Sequence, residues 1–426
     1  MRFSIFTPTH NPAHLIRAAR SIEAQTVDAA NVEWVIVCNG QASKGEVKAL
    51  LKDSKINLRI MQAPETISGV GALKRWACGS ANGSILVELD HDDELLPVCL
   101  EAIDLAVKAG ADFVSSATIE IKADGSDVIY GESFGWEHSD YQLRGVDRRF
   151  NKPFPINART LAEIFYAPNH VRAWTKEAYW KVGGHDASLQ ICDDQDLLIR
   201  TYLSGAEFKV IETPLYVQHM HKSNTQTEQN ADIQNKCLEL KNAHLRALVD
   251  EWCKREKLPK YDLGGAHSCP DGWTAVDKFG GDGVVQIDVT HGLPWPDNSV
   301  GAIRAHDFLE HIPIGQVVPL MNEIHRVLAP NGWLLTSTPS TDGRGAFQDP
   351  THKSFWNQNS WWYYTRAQQA KYVPEIKARF QGARIFTAYP SEWHKDNDIS
   401  YVVADLVALK GQRTAGWNGF FEPKQT

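Results

Sequence analysis

An acidic cluster follows an apolar run in the segment LVELDHDDELLP, residues 86–97. Asp90, Asp92 and Asp93 are close neighbours there, and carboxylates at this spacing repel one another unless a cation is present. Hard divalent ions such as Mg²⁺ and Mn²⁺ prefer oxygen ligands and can bridge a protein to a diphosphate. The segment therefore predicts a divalent metal site or, as the alternative, a solvated acidic turn that caps the next helix.

The elements that would position this cluster alternate between strand and helix patterns. Short apolar runs at 3–7, 33–39 and 84–90 are typical of strands, and residues 14–25 have helical spacing of their apolar side chains. This order predicts an α/β fold with a mainly parallel sheet and helices on its faces. Ligands of such sheets bind at the carboxyl ends of the strands, where the acidic cluster would lie.

A change of texture divides the chain. Residues 224–257 are polar with a sparse apolar stripe, which predicts a long amphipathic helix between two domains. A second α/β pattern begins at Tyr261. Its predicted elements are strands at 274–277, 284–288, 301–307 and 332–339 and a helix at 319–328. We therefore predict a first domain at 1–224, a helical connector at 225–257, a second domain at 258–411 and a loose tail at 412–426.

Composition excludes several classes of protein. The chain has 426 residues, of which 43% are hydrophobic and 23% charged, as expected for a globular protein of two or three domains. The net charge of −8 disfavours generic nucleic-acid binding. The seven scattered cysteines predict free thiols. The opening residues lack a signal-peptide pattern and no run of about 18 apolar residues occurs, so we expect a cytoplasmic protein without a membrane span.

The first half resembles the family 2 glycosyltransferases, which have the GT-A fold. FSIFTPTHNPAHLIRAARSIEAQT is similar to their opening strand and first helix, LVELDHDDELLP to their DXD strand, and KRWACGSANGS to the helix that precedes this strand. The resemblance covers residues 1–224 and implies a nucleotide-sugar donor and a Mn²⁺ or Mg²⁺ ion. The donor contacts that it implies are Thr7, Pro8, Thr9, Lys74 (where an arginine is usual), Asp90 and Asp92, with Asp92 and Asp90 as metal ligands.

Two later segments extend the resemblance. YWKVGGHDASLQICDDQDLLIRTYLSG is similar to the family's acceptor loop and acidic helix start, which implies Asp194 as catalytic base with Asp193 beside it. Such a base takes the proton of an acceptor hydroxyl as it attacks the anomeric carbon. The alternative is that these carboxylates only stabilise a helix N-terminus. LYVQHMHKSN implies His221 as a metal ligand with His219 beside it, or else structural histidines.

The donor and acceptor are less defined by the resemblance. Asn39 replaces an acidic residue that reads the nucleobase in the family, and its amide can still bond a base edge, so a UDP-sugar is favoured. The stretch between Gly131 and Trp174 contains aromatic and arginine residues that could bind a carbohydrate or another hydroxylated acceptor, or could form an ordinary packed insertion. The residues in question are Trp136, His138, Tyr141, Arg144, Arg148, Arg149 and Phe150. A hydroxylated DNA base, as in some phage enzymes, is a further alternative.

The second half resembles the small class I S-adenosylmethionine-dependent methyltransferases. YDLGG, TAVD, LPWPDNSV, FLEHI and NEIHRVLAPNG follow one another in the order of that family's motifs. The resemblance implies a Rossmann-like sheet that binds S-adenosylmethionine. The contacts that it implies are Gly264, Gly265, Asp277, Asp288 and His306, with Asp307 near the transferred methyl group.

This second glycine turn departs from the family pattern. LGGAHS lacks the usual third glycine, and the gap from Gly265 to Thr274 leaves no room for a full helix. The domain is therefore either an active methyltransferase, with Glu310, His311 and His352 as candidate bases, or an inactive scaffold. The whole sequence predicts two Rossmann-like modules joined by a long helix: a metal-dependent, inverting glycosyltransferase, followed by a methyltransferase-like domain that could methylate its product.

Overall fold

The computed structural model describes residues 2–67, 69–132, 136–163, 170–221 and 229–410. The chain divides into two compact units, Met1–Leu248 and Val249–Thr426. The predicted tail at 412–426 and the predicted domain boundary at residue 224 lie outside the described residues.

The first unit is built on a sheet of ten strands. The strands are β1 (Phe3–Thr9), β2 (Val32–Cys38), β3 (Asn57–Gln62), β4 (Ile85–Glu88), β5 (Glu94–Leu95), β6 (Phe113–Lys122), β7 (His138–Leu143), β8 (Val146–Asn151), β9 (Arg172–Thr175) and β10 (Phe208–Met220). The helices are α1 (Leu15–Glu23), α2 (Lys44–Leu50), α3 (Val70–Gly79), α4 (Cys99–Lys108), α5 (Ala158–Glu163), α6 (Lys176–Lys181) and α7 (Asp193–Leu203), with 3-10 turns at Pro12–His14 and Ala29–Asn31.

The order of strands in this sheet is β3-β2-β1-β4-β9-β6-β10-β5, with β8 attached to β6 and β7 to β8. The predicted parallel arrangement holds for β3, β2, β1 and β4. It is interrupted by β9, which pairs antiparallel with both β4 and β6. The sheet is therefore mixed, because β9 and the β7–β8 hairpin come from the stretch between Gly131 and Trp174 that carried no strand prediction.

Helices cover the parallel part of the sheet. β2 is buried along its whole length, as expected for a strand with helices on both faces. The side chains of α1 that the apolar spacing predicted, Leu15, Ala18, Ala19 and Ile22, are buried in the core beside Trp34. Hydrophobic periodicity was thus sufficient to place this helix.

The first strand was predicted to end at Thr7, but in the structure it continues through Pro8 to Thr9. β4 pairs with β1 only as far as Phe6, so Pro8 lies where the strand has one neighbour, a position that tolerates a missing N–H. Thr7 Oγ1 donates to the Leu89 carbonyl (2.7 Å) and accepts from Trp34 Nε1 (2.9 Å). The side chains of Thr7 and Thr9 are fully buried and Pro8 is half-buried, and the donor contacts of these three residues stay a prediction.

The predicted connector forms a helix, α8 (Asn230–Glu256). The division between the two units falls within it, after Leu248, rather than at either of its ends. Its buried side chains include Cys237, Leu248 and Trp252 from the predicted apolar stripe.

The second unit is built on seven strands. They are β11 (Lys260–Leu263), β12 (Thr274–Asp277), β13 (Val285–Gln286), β14 (Val300–His306), β15 (Leu328–Pro339), β16 (Phe380–Ala388) and β17 (Tyr401–Ala408). The helices are α9 (Ile314–Val327), α10 (Gly345–Gln348), α11 (Gln358–Thr365), α12 (Ala367–Ala370) and α13 (Glu392–Asp396), with 3-10 turns at Val289–His291 and Leu309–His311.

This second sheet has the order β13-β12-β11-β14-β15-β17-β16. The first five strands in this order are parallel to their neighbours. β17 pairs antiparallel with both β15 and β16. Only turns connect β11 to β12, as the short gap predicts.

Two further predictions can be compared with the structure. The seven cysteines are free thiols, and all but Cys269 are buried. Of the helices in the described ranges, none has the combination of length and apolar character that crossing a membrane requires.

Replacing Thr7 by valine tests whether its hydroxyl is structural. Thr7→Val keeps the shape but leaves Trp34 Nε1 and the Leu89 carbonyl without their buried partner. We expect the free energy of unfolding to fall by about 1–3 kcal/mol, with donor affinity unchanged. Urea denaturation and a donor titration are the measurements.

Thr9→Val is the matched control, because the Thr9 hydroxyl is buried with no hydrogen-bond partner among the described residues. Its removal should leave stability unchanged or raise it. A loss of donor affinity in Thr7→Val without loss of stability would contradict the structural role.

Candidate functional site

The carboxyl ends of β1, β2 and β4 meet at one edge of the first sheet, because these strands are parallel neighbours. Asn39 follows β2, and its backbone N–H donates to the Thr9 carbonyl (2.9 Å). Asp90 lies just beyond β4, and its backbone N–H donates to the Tyr216 hydroxyl (3.1 Å). The residue predicted to read the nucleobase and the predicted acidic cluster thus lie at the same edge of the sheet.

Asp92 is buried and faces a histidine. Its carboxylate lies 2.5 Å from His221 Nε2, and Arg17 donates to its backbone carbonyl (3.0 Å). Burial alone would raise the pKa of Asp92, but His91 and the hydrogen bond to His221 hold it below its usual value. The structure therefore brings together two of the predicted metal ligands, a carboxylate oxygen and an imidazole nitrogen.

Asp90 lies with a different set of side chains. One potential ligand atom from each of Glu88, Asp90 and His170 lies within 4.8 Å of the other two. His170 Nε2 is 3.4 Å from the Asp90 carboxylate, whose side chain is 39% exposed. Among the described residues, Asp90, Asp92 and His221 do not form an equally compact set. The predicted metal ligands thus occur as an Asp92–His221 pair with Asp90 outside it.

The third carboxylate of the cluster has a structural role. Asp93 accepts hydrogen bonds from the Tyr216 hydroxyl (2.9 Å) and the His219 backbone N–H (2.8 Å). Burial, together with the neighbouring aspartates, raises its pKa well above the usual value. The His219 ring lies 2.9 Å from the Glu94 carboxylate, so this neighbour of His221 holds β10 against β5.

A buried network of charged side chains is centred on Glu88, the last residue of β4. Lys74 Nζ on α3 is 2.6 Å from Glu88 Oε1, and Arg172 Nε on β9 is 3.2 Å from Glu88 Oε2. Burial alone would raise the pKa of Glu88, but the two cations hold it below its usual value.

Lys74, a predicted donor contact, is engaged within the fold. Its ammonium is buried between Glu88 and Asp193, whose carboxylate is 3.3 Å away. Its contact with a donor stays a prediction.

The two predicted base candidates at the start of α7 differ in access. The Asp193 side chain is 7% exposed and that of Asp194 is 29% exposed. Arg172 pairs with Asp194, whose other oxygen accepts from the Gln195 backbone N–H (2.7 Å). Burial would raise the pKa of Asp194, but Arg172 and Lys74 lower it, whereas burial raises that of Asp193. Asp194 is thus the more accessible carboxylate of the two, and the one whose pKa is lowered.

A histidine extends this network towards the acidic cluster. Arg172 Nη2 lies 2.7 Å from His170 Nε2, which accepts its hydrogen bond. Burial and the Arg172 charge lower the pKa of His170 to about 4, so its ring is neutral. Hydrogen bonds therefore connect Asp194, Arg172 and His170, and Asp90 lies 3.4 Å from the same nitrogen of His170.

Sequence reasoning missed three members of this network: Glu88, His170 and Arg172. Glu88 and Arg172 are single charged residues in buried strands, in the segments ILVE and RAWT. A charge at an apolar position is a usable signal, because it requires a partner when buried. The partner itself could not be read from the sequence, since Glu88 and Arg172 are 84 residues apart.

The aromatic and arginine residues between Gly131 and Trp174 are mostly used within the fold. Trp136 is buried, and the centroids of the Trp136 and Phe154 rings are 4.1 Å apart. Phe150 is buried in a small core. Arg144 pairs with Glu94 on β5, and Arg148 pairs with an aspartate 3.1 Å away. These contacts favour the packed insertion over an acceptor-binding surface.

In the second unit, the parallel strands bring the predicted cofactor residues to one sheet edge. Asp277 ends β12 and His306 ends β14, on the two sides of β11. The Asp277 carboxylate accepts from the Phe279 backbone N–H (2.9 Å). Asp288 accepts from the Thr290 backbone N–H (3.0 Å), so it caps a 3-10 turn.

The two glycines after β11 are required by local packing. Gly264 has φ +76°, and a Cβ there would lie 2.7 Å from the Phe308 ring. A Cβ at Gly265 would lie 2.7 Å from the carboxylate of Asp262. These contacts explain both glycines without a ligand, and their contact with a cofactor stays a prediction.

The three alternative bases of the second unit come together. One potential ligand atom from each of Glu310, His311 and His352 lies within 4.8 Å of the other two. Burial raises the pKa of Glu310 to about 8.

Comparison with known proteins assigns both units. The glycosyl transferase family 2 description matches residues 4–166, and a methyltransferase domain description matches residues 272–336. Asp92 lies in the first match and Asp277 in the second, whereas Asp194 and His221 lie outside both. No curated protein matches the sequence.

Similar solved structures include those of S. aureus TarS. TarS 1–349 has a TM-score of 0.42 at 15% identity and covers 60% of this chain and 72% of its own. TarS 1–349 in complex with UDP-GlcNAc has a TM-score of 0.44 at 14% identity, over 60% and 73%. A further TarS structure has a TM-score of 0.42 at 15% identity, and this chain spans 44% of its length and aligns over 59% of its own.

The assignment rests on the two family matches and on the order of motifs along the chain. The chain carries a family 2 glycosyltransferase domain in its first unit, followed by a methyltransferase domain in its second.

Proposed function

We propose that the first unit is a metal-dependent, inverting glycosyltransferase that moves a sugar from a nucleotide donor to a hydroxyl acceptor. The observation that carries this proposal is Asp194, a partly exposed carboxylate that Arg172 holds in its ionised form. It is linked through Arg172 and His170 to Asp90, at the sheet edge where the donor diphosphate is expected.

The Asp92–His221 pair fits a divalent cation. Its carboxylate oxygen and imidazole nitrogen, which are hydrogen-bonded to each other at 2.5 Å, are both ligand types for such an ion, and Asp90 adds a second, partly exposed carboxylate near this edge. Oxygen and imidazole ligands suit Mn²⁺, and oxygen ligands suit Mg²⁺. When bound, such an ion would neutralise the charge of the donor diphosphate.

Asp194 is the proposed base. It takes the proton from the acceptor hydroxyl while that oxygen bonds to the anomeric carbon. The bond from this carbon to the diphosphate breaks, and its electron pair leaves with the diphosphate. Because Asp194 is ionised at neutral pH, it is ready to accept this proton without a prior ionisation step.

The proposed donor is a UDP-sugar. Asn39 lies at the end of β2, half-buried, and its amide can both donate to and accept from the edge of a uracil ring. The proposed acceptor is a carbohydrate or another hydroxylated molecule.

The metal site is tested by Asp92→Asn. Replacing this carboxylate by an amide should remove the divalent-dependent part of UDP binding, because an amide is a neutral and weaker ligand. Calorimetry with UDP, with and without Mn²⁺, is the measurement. Asp53→Asn, at an exposed turn of the same unit, should bind as the wild type does. Metal-independent UDP affinity in the wild type would contradict the proposal.

The charged network is tested by Arg172→Gln. Its loss leaves the buried Glu88 with one cation, which should lower the free energy of unfolding by about 3–5 kcal/mol near neutral pH. Glu88 stabilises the fold at pH values above the pKa that it has in the unfolded chain. This stabilisation is lost as the pH falls through the lower pKa that Glu88 has in the folded protein. The difference in free energy of unfolding between Arg172→Gln and the wild type should therefore become smaller below about pH 4. Urea denaturation across this pH range measures it.

Arg200→Gln is the control for that experiment. Arg200 pairs with Asp196 on the same helix but is 26% exposed and does not contact Glu88 or Asp194. It should lose less stability and show a smaller pH dependence. Equal losses in the two variants would show that Arg172 contributes no more than a partly exposed ion pair does.

We further propose that the second unit binds S-adenosylmethionine at the edge formed by β11, β12 and β14. The support is the family match at 272–336 and the position of Asp277 at a strand end, where a carboxylate can accept hydrogen bonds from ribose hydroxyls. When bound, this cofactor would supply a methyl group for the glycosylated product or a nearby hydroxyl. An inactive scaffold is the alternative.

Asp277→Ala tests this proposal. Loss of a charged acceptor of the ribose hydroxyls should weaken S-adenosylmethionine binding about tenfold or more, since each such bond contributes about 1.5–3 kcal/mol. UDP binding by the first unit should not change. Calorimetry on the full chain measures both, with Asp282→Ala, at an exposed position, as the control. No binding by the wild type at millimolar concentration would favour the scaffold.

A further inference from the structure

A second group of metal-ligating side chains lies in the second unit and is formed by residues other than the proposed nucleotide and cofactor contacts. Glu310 and His311 belong to the 3-10 turn Leu309–His311 that follows β14, and His352 lies in the loop between α10 and α11. One potential ligand atom from each of the three lies within 4.8 Å of the other two. We call Glu310, His311 and His352 the Glu310 cluster.

The two segments that carry this cluster are fixed to each other. The backbone N–H groups of Lys353 and Ser354 both donate to the Glu310 carbonyl, at 2.7 and 3.0 Å. The Ser354 hydroxyl donates to the Leu309 carbonyl (2.7 Å). The backbone therefore holds His352 beside Glu310 without help from a ligand, as a preorganised site requires.

The His352 ring presents a lone pair. Its Nδ1 lies 2.8 Å from the Ala346 carbonyl, which can only accept, so Nδ1 carries the hydrogen. Nε2 is then the nitrogen that can bind a metal. A backbone carbonyl that fixes the ring of a metal-binding histidine in this way is a common second partner in metal sites.

The His311 ring is fixed in the same way by a hydroxyl. Its Nδ1 lies 3.0 Å from Thr351 Oγ1. Thr351 uses its single hydrogen on the Asp349 carboxylate (2.7 Å), so its oxygen accepts from His311 Nδ1. The His311 Nε2 lone pair is thus also available.

Glu310, the third member of the cluster, has a buried carboxyl oxygen, Oε2, without a hydrogen-bond partner among the described residues. Its side chain is 2% exposed. No described Lys or Arg side chain pairs with it, whereas the buried Glu88 of the first unit has two such cations. A buried carboxylate oxygen without a partner is costly, and a bound cation would remove that cost.

We propose that Glu310, His311 and His352 bind a first-row divalent transition-metal ion, of which Zn²⁺ is the representative. Two imidazole nitrogens and one carboxylate oxygen suit Zn²⁺ and its neighbours better than Mg²⁺ or Ca²⁺, which prefer oxygen. Three protein ligands leave a coordination position open to water or to an oxygen of a bound molecule. This site is separate from the metal that the Asp92–His221 pair would hold.

The test is Zn²⁺ binding by the full chain after treatment with a chelator. Equilibrium dialysis gives the number of bound ions, and calorimetry gives their affinity. His352→Gln should lose one bound Zn²⁺, with its affinity reduced by a factor of about 100 or more. Thr351→Val keeps all three ligands but removes the partner of His311 Nδ1, and should weaken the same site about 10–100-fold.

His291→Gln is the matched control, because His291 is 83% exposed in the same unit and outside the cluster. It should bind Zn²⁺ as the wild type does. Equal Zn²⁺ stoichiometry and affinity in the wild type, His352→Gln and Thr351→Val would overturn the proposal, and so would equal weakening by His291→Gln. If His352→Gln fails to fold, Thr351→Val alone decides the outcome. The binding of S-adenosylmethionine and of UDP is measured in separate titrations. Failure of the proposed function can therefore be distinguished from failure of the proposed Zn²⁺ site.

Discussion

The burial of Glu88 between Lys74 and Arg172 is the constraint on which the first unit's site depends. The three side chains come from β4, α3 and β9, and they are joined by Asp193 and Asp194 at the start of α7. A buried carboxylate is tolerated only when its charge is compensated, so these four elements must converge at one place. That convergence gives Asp194 a charged partner and leaves it partly exposed.

The second unit reaches a similar arrangement by different means. Its predicted cofactor residues are brought to one edge by parallel strands, and the glycines there are required by Phe308 and Asp262. Its most distinctive side chains, the Glu310 cluster, are positioned by backbone hydrogen bonds between two loops. The first unit compensates its buried carboxylate with its own cations, whereas Glu310 has no such cation among the described residues.

Local patterns in the sequence were sufficient for some of the strands, for α1 and for the order of motifs, because periodicity and turn residues are local properties. Asp92 and His221 are far apart in the chain, and only the family resemblance predicted that they belong to one site. Local patterns could not reveal partners that are distant in the chain. The hydrogen bond between Trp34 and Thr7 and the ion pair between Lys74 and Glu88 are visible only in the structure.

The central claim is that Asp194 is the base of the first unit. The most direct measurement is hydrolysis of nucleotide sugars with Mn²⁺ by Asp194→Asn, which needs no acceptor because water replaces it. The account predicts nearly unchanged donor affinity and a rate lower by about 10²–10⁴-fold, with Asp196→Asn close to the wild type. Retained turnover, or an equal loss of donor affinity, would contradict it.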